Sequence, residues 1–378
     1  MLSRRGLATA AVALAAGKRF LAKAAPGLRR ERAKVGVAYA AITGSVGLSA
    51  FSFFSREAEE ENGGSREEGK DEETEGGGGE EEEDAIVLLL KKAKLSIMKG
   101  ELEEAERILH EAARLSHRSD NKAAIIYTYD TMANLAFMRG QMEQAEKLFK
   151  AAMSHLLSGD TKEDDNAVVE MSLKLASIYA AQNQHKLALA GYEFCILTLE
   201  EKVAKQKDMP SDALTEEERN DTRLLLGMSL DSYARYLLAH SQAAVAQKMY
   251  ERALRIATEV QGETHPQTVV LMNDLATALD AQGRYEDAYA RVRKAAELAR
   301  ETEHPEAHIV LNNLAGILMH KEDYPQAKEV YQEALKQAEK IGDEASARYI
   351  RKELVELAKR KKRRTKLQKE NREEAGRE

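Results

Sequence analysis

Few residues of this 378-residue chain have the types and spacing that chemistry needs. His304 and His308 lie four apart in His-Pro-Glu-Ala-His, a separation that suits one helical face. The motif lacks the zinc-protease arrangement, and Pro305 reads as a helix start that leaves His304 outside the helix, so no metal site is expected. Gly76–Gly79 sit in an acidic stretch with no strand before them, which excludes a phosphate loop and leaves no cofactor to expect. The single cysteine, Cys195, can form no intrachain disulfide and falls where a small residue packs, which predicts a buried structural role. Neither Gly-x-Ser-x-Gly nor a Cys/His nucleophile setting appears, so the residues do not predict an enzyme or a small-molecule substrate.

What remains is a pattern of elements. From Met272 to Ala295, Leu275, Ala276 and Leu279 share one helical face, and Gly283 relieves strain at a helix end. A second helix follows with Ala288, Val292 and Ala295 inward. The hairpin recurs. Ala93, Ala133, Ala176, Ala234 and Ala315 repeat the Ala276 position, and Ala105, Ala145, Ala188, Ala246 and Ala327 repeat Ala288. Leu109, Phe149, Tyr192, Tyr250 and Tyr331 stand four residues on, then Ala112, Ala152, Cys195, Ala253 and Ala334 three further. This spacing of 12, 4 and 3 residues in six units resembles the tetratricopeptide repeat, a helix–turn–helix with a small-residue and aromatic ladder. The expected fold is all-α: a right-handed superhelical solenoid of about six such repeats over about residues 85–340, closed by a C-terminal capping helix and basic tail over 341–378.

Successive anchor alanines lie 40, 43, 58, 42 and 39 residues apart. Against the family's usual repeat of about 34, the excess adds roughly two turns, or about 12 Å of helix, to each hairpin. In the 58-residue gap Pro210 ends one helix, and Thr215 with Glu218 forms a capping box that opens the next. Units five and six open with His265-Pro266 and His304-Pro305, which read as helix starts. Such long repeats, with Leu311-Asn312-Asn313-Leu314-Ala315, resemble those of kinesin light chains, and an adaptor for cargo or a peptide is the alternative reading of function.

Solenoids of this kind bind through the face lined by the first helix of each unit. Three residues before and one after each anchor alanine, side chains are expected in a groove able to bond an extended peptide's backbone. These positions hold Leu90 and Lys94, Asp130 and Asn134, Leu173 and Ser177, Asp231 and Arg235, Asn273 and Thr277, and Asn312 and Gly316. Local bonding within the array is the competing reading for the Asn and Asp residues.

Charge is unevenly distributed behind the overall −7. Residues 1–55 carry +8, residues 56–84 carry −12 and residues 359–378 carry +6, which leaves −9 on the repeat body. A body of that sign argues against nucleic acid as its main partner. Met1–Arg30 is basic and acid-free, and residues 1–34 have the composition of a mitochondrial transit peptide. Val35–Phe54 has no charge and nearly the length that crosses a bilayer, so residues 35–55 are a possible membrane segment or the apolar half of a bipartite presequence. Residues 56–84 are Gly- and Glu-rich and are expected to be a disordered linker. The run Lys359–Arg364 reads as a solvated helix C-terminus, with a nuclear signal or lipid head-group contact as the other readings.

Several strings go beyond generic repeats: Leu88–Met98, Leu173–Asn183, Gly191–Cys195, Gly262–Gln267 and Gln332–Ala338. With the N-terminal organisation they resemble a mitochondrial family of tetratricopeptide repeat proteins, over roughly residues 85–358. That resemblance implies a non-catalytic scaffold at the inner membrane, on the matrix side, for assembly or maintenance of respiratory complex III, with its Rieske iron–sulfur subunit as partner. The charges flanking Val35–Phe54 would by the positive-inside rule place the repeats outside the matrix, so the two arguments diverge on topology.

Overall fold

A computed structural model describes residues 77–210 and 213–375, with side chains over 82–365. The transit segment, the apolar segment and the first part of the acidic linker lie outside the described residues. Among the described residues every regular element is a helix, and the fold is an all-α repeat solenoid. None of these helices is long and apolar enough to cross a membrane.

The chain divides into two compact units at Leu214/Thr215, within the long insertion. The first unit holds three hairpins: α1 (Gly77–Lys99) with α2 (Leu102–Arg118), α3 (Lys122–Met138) with α4 (Met142–Leu157), and α5 (Asn166–Ala181) with α6 (His185–Asp208). The second holds α7 (Glu216–Ala239) with α8 (Ala243–Gln261), α9 (Pro266–Asp280) with α10 (Tyr285–Glu301), α11 (Ala307–His320) with α12 (Tyr324–Ile341), and the closing helix α13 (Glu344–Ala375).

The ladder residues make the core. Ala93, Ala133, Ala234, Ala276 and Ala315 are 0% exposed, as are all six alanines of the Ala288 position, because facing backbones meet there. Leu109, Phe149, Tyr192, Tyr250, Val292 and Tyr331 fill the space beside them and are also buried. In the first unit, Ala133, Phe149, Ala152, Met171 and Ile178 join two consecutive hairpins into one apolar cluster. Burial between neighbours is thus what holds each hairpin, as repeat architectures require.

Each hairpin turns the same way. Seven residues after the anchor alanine the backbone enters the left-handed region at Gly100, Gly140, Asn183, Ser241, Gly283 and Glu322. The next N–H donates back to a carbonyl five residues earlier, from Glu101 to Ser96 at 2.8 Å through Asp323 to Leu318 at 3.0 Å. This is the Schellman bond that closes a helix end. Glycine and asparagine adopt that geometry readily, whereas Ser241 and Glu322 hold it against steric cost.

Helix ends follow local chemistry with two exceptions. The side chain of Thr215 accepts from the Glu218 N–H while Glu218 accepts from Thr215, completing the capping box. His265 caps α9 with Pro266 in its first turn. At His304-Pro305, however, the chain makes a separate turn and α11 begins at Ala307, two residues beyond the proline. The acidic linker also ends earlier than expected, because α1 starts at Gly77 and carries Glu80–Asp84. Carboxylates suit the positive end of a helix, and Glu82 pairs with Arg118 at 2.9 Å.

Candidate functional site

The first helices α1, α3 and α5 place Lys94, Asp130 and Asn134 in the first unit. The Lys94 ammonium stands 5.1 Å from the ring centre of Tyr127 on α3. Asp130 is buried and accepts from Asn134 Nδ2 at 2.9 Å and from Lys174 Nζ on α5 at 3.1 Å. Lys174 also pairs with Glu170 at 3.0 Å. Burial would push the Lys174 ammonium down, but the carboxylates of Asp130 and Glu170 more than offset it and hold the group above the ordinary lysine range. Ser177 spends its hydroxyl on the Leu173 carbonyl, and Leu173 itself is buried.

The second unit repeats this arrangement with other residues. Arg235 Nε donates to Asp231 Oδ1 at 3.0 Å, and its Nη2 lies 2.7 Å from Asp274 Oδ2 on α9. Burial pushes the Asp274 carboxyl up to about 6; Arg235 works against this rise, and the Asp231 charge adds to it. Asn273 Nδ2 donates to Asp274 Oδ1 at 3.2 Å, while its Oδ1 accepts from Asn313 Nδ2 on α11 at 2.9 Å. Thr277 donates to the Asn273 carbonyl. Asn312 Oδ1 is buried with no hydrogen-bond partner among the described residues.

A rule emerges from the two strips. The residue three before one anchor alanine meets the residue two before the next anchor: Asp130 with Lys174, and Asn273 with Asn313. Asp231 and Asp274 obey the same rule, with Arg235 bridging them. Lys174, Asp274 and Asn313 were not among the expected groove residues, although their constant offset from the anchors was a signal available in the sequence. Each strip sets two carboxylates around one cation; Lys94 balances the charge in the first, and the second carries an excess negative charge.

The remaining chemical candidates are held structurally. His304 Nδ1 accepts from the Glu306 N–H at 3.0 Å, so Nε2 bears the proton and faces the Pro266 carbonyl at 3.3 Å. His308 Nε2 lies 3.1 Å from Asp343 Oδ2, and Asp343 Oδ1 accepts from the Ser346 N–H at the start of α13. Cys195 is fully buried with its Sγ 3.5 Å from the Val169 carbonyl, and burial pushes the thiol up, away from the reactive thiolate.

Comparison with known proteins places this geometry. Residues 225–301 match the tetratricopeptide repeat model. The crystal structure of BtubC (BKLC) from P. vanneervenii is similar in fold, with TM-score 0.50 and 15% identity over 68% of this chain and 92% of that one. Human tetratricopeptide repeat protein 19, mitochondrial, is 59% identical over 270 residues, 71% of each chain. The Rattus norvegicus protein of the same name is 60% identical over 71% of this chain and 74% of its own. The chain therefore belongs to the tetratricopeptide repeat protein 19 family.

Proposed function

We propose that the protein is a non-catalytic scaffold at the mitochondrial inner membrane, on its matrix side, that serves assembly or maintenance of respiratory complex III by holding the Rieske iron–sulfur subunit. The observation that carries a mitochondrial protein-binding role is the 59% identity to a human repeat protein named mitochondrial, joined to a fold whose relatives act by binding other proteins. The basic, acid-free first 30 residues suit import, and residues 1–34, residues 35–55 and the acidic stretch before α1 serve as transit segment, membrane-associated segment and spacer ahead of the array.

Each unit offers its own docking face in this proposal: the face bearing Lys94, Asp130 and Asn134 in the first, and the face bearing Asp231, Arg235, Asn273, Thr277 and Asn312 in the second. Most of these polar groups are already engaged within the array, so they shape and charge the surface while fewer atoms contact the partner directly. The excess carboxylate in the second unit's strip favours a partner segment bearing Lys or Arg. Affinity isolation of the tagged chain from detergent-solubilised mitochondria tests the proposal. Complex III subunits, the Rieske protein among them, are expected in the eluate, and their absence overturns the complex III assignment.

A further inference from the structure

The basic run Lys359–Arg364, expected at a helix C-terminus, lies inside α13, which continues to Ala375, and it has no part in the docking proposed above. After Leu357, which is buried, every residue from Ala358 to Thr365 is exposed. That segment holds Lys359-Arg-Lys-Lys-Arg-Arg364, six consecutive cations. Few carboxylates offset them: Glu356 is shared by Lys359 at 3.7 Å and Arg360 at 3.6 Å, and Glu322 takes Arg364 at 3.3 Å. Lys361, Lys362 and Arg363 make no ion pair among the described residues.

The segment is also fixed in place. Arg364 donates to the Glu322 carbonyl at 2.8 Å and lies 5.6 Å from the Tyr324 ring centre, which ties the basic turn to the α11–α12 hairpin. Along one face of α13 run Lys352, Val355, Lys359 and Lys362, spaced three, four and three apart, and all are exposed. Val355 is 56% exposed, an apolar side chain set among lysines.

We infer that the basic stretch Lys352–Arg364 of α13 is a peripheral contact for an anionic phospholipid surface. Clustered cations on a helix with an exposed apolar residue between lysine stems match such a surface, where the stems lie along the acyl boundary and the ammonium groups reach phosphate. Two observations favour a bilayer over nucleic acid. The repeat body carries −9, which repels a polyanion running along it, whereas a membrane plane can meet this exposed stretch of α13 alone. The Lys352–Lys362 face also presents neither aromatic nor amide side chains to stack on or read bases. The inference does not depend on complex III, and it stands or falls separately from that partner.

The test uses the full chain with Val355→Cys carrying an environment-sensitive fluorophore, since the native Cys195 is buried and does not compete for the label. Vesicles of phosphatidylcholine containing phosphatidylglycerol should shift the emission to the blue, and pure phosphatidylcholine should not. Replacing Lys361, Lys362 and Arg363 together by alanine should weaken the vesicle response on the order of a hundredfold, at about 1 kcal/mol per cation. Alanine suits a helix, and unchanged circular dichroism shows that the variant is folded. Equal shifts on neutral and anionic vesicles, or an undiminished response in the triple variant, would overturn the inference. Displacement from anionic vesicles by equimolar RNA would reassign the surface to nucleic acid, and displacement by inorganic phosphate alone would reduce it to a free-anion site.

Discussion

Asp274 shows how a single side chain couples the repeats to pH. Its carboxyl has an ordinary value of 3.8 and is pushed up to about 6 in the fold by burial and by Asp231, despite Arg235. Between those values the folded chain binds more protons than the unfolded one, so this group's contribution to stability falls as pH rises from about 4 to about 6. Asp274→Asn removes the titration, and its thermal midpoint should vary less across that window than the wild type's. A parallel pH dependence in the variant would assign the effect elsewhere. The turn residue Ser241 makes a second case, since a non-glycine side chain there, at φ 60°, costs conformational energy. Ser241→Gly should raise unfolding free energy by about 0.5–1 kcal/mol in urea titration, the relief of strain exceeding the added freedom of the unfolded chain. These residues also mark where reading the sequence stops. Gly100, Gly140, Asn183 and Gly283 announce their turns by type, whereas Ser241 and Glu322 are recognisable only from their constant distance after the anchor alanine. Lys174, Asp274 and Asn313 stand two residues before an anchor alanine, and their role shows only in contacts with a neighbouring helix.

Among the elements, α5 and α6 approach closely at Gly191. A Cβ built on Gly191 would stand 2.7 Å from the Ala176 Cβ and 3.4 Å from its Cα, and backbone cannot yield as a flexible side chain does. Gly191→Ala should therefore cost about 1–3 kcal/mol, read as a lowered urea midpoint, and full stability would mean that the two helices can part without penalty. Helix identity was largely legible because a ladder of two small residues, one larger residue and a final small one recurs at spacings of 12, 4 and 3 in all six units. Boundaries were less so. The run Glu80–Asp84 reads as a solvated linker by composition, yet it continues α1, where helix polarity and the Glu82–Arg118 pair favour carboxylates. Pro305 has the same His-Pro signature as Pro266, but only Pro266 lies inside its helix, because residues 304–307 close a separate turn first.

For the whole molecule, the division at Leu214/Thr215 gives two sets of three hairpins, each with its own polar strip of two carboxylates and one cation. Sequence alone indicated the solenoid and the helices that carry these residues, and it left open whether the side chains bond to one another or to a partner. Those contacts depend on which helices become neighbours, and no local pattern states that. Family membership at 59% identity then narrows the partner search to mitochondria, where the human relative's name places it. The scaffold reading is tested most directly by quantifying Rieske subunit co-isolated from solubilised mitochondria with the tagged wild type and with a Lys94→Ala/Asn312→Ala variant of unchanged thermal midpoint. Rieske protein is expected with the wild type, well above an untagged control, with a several-fold loss in the variant. Rieske recovery no greater than that control would contradict the scaffold reading.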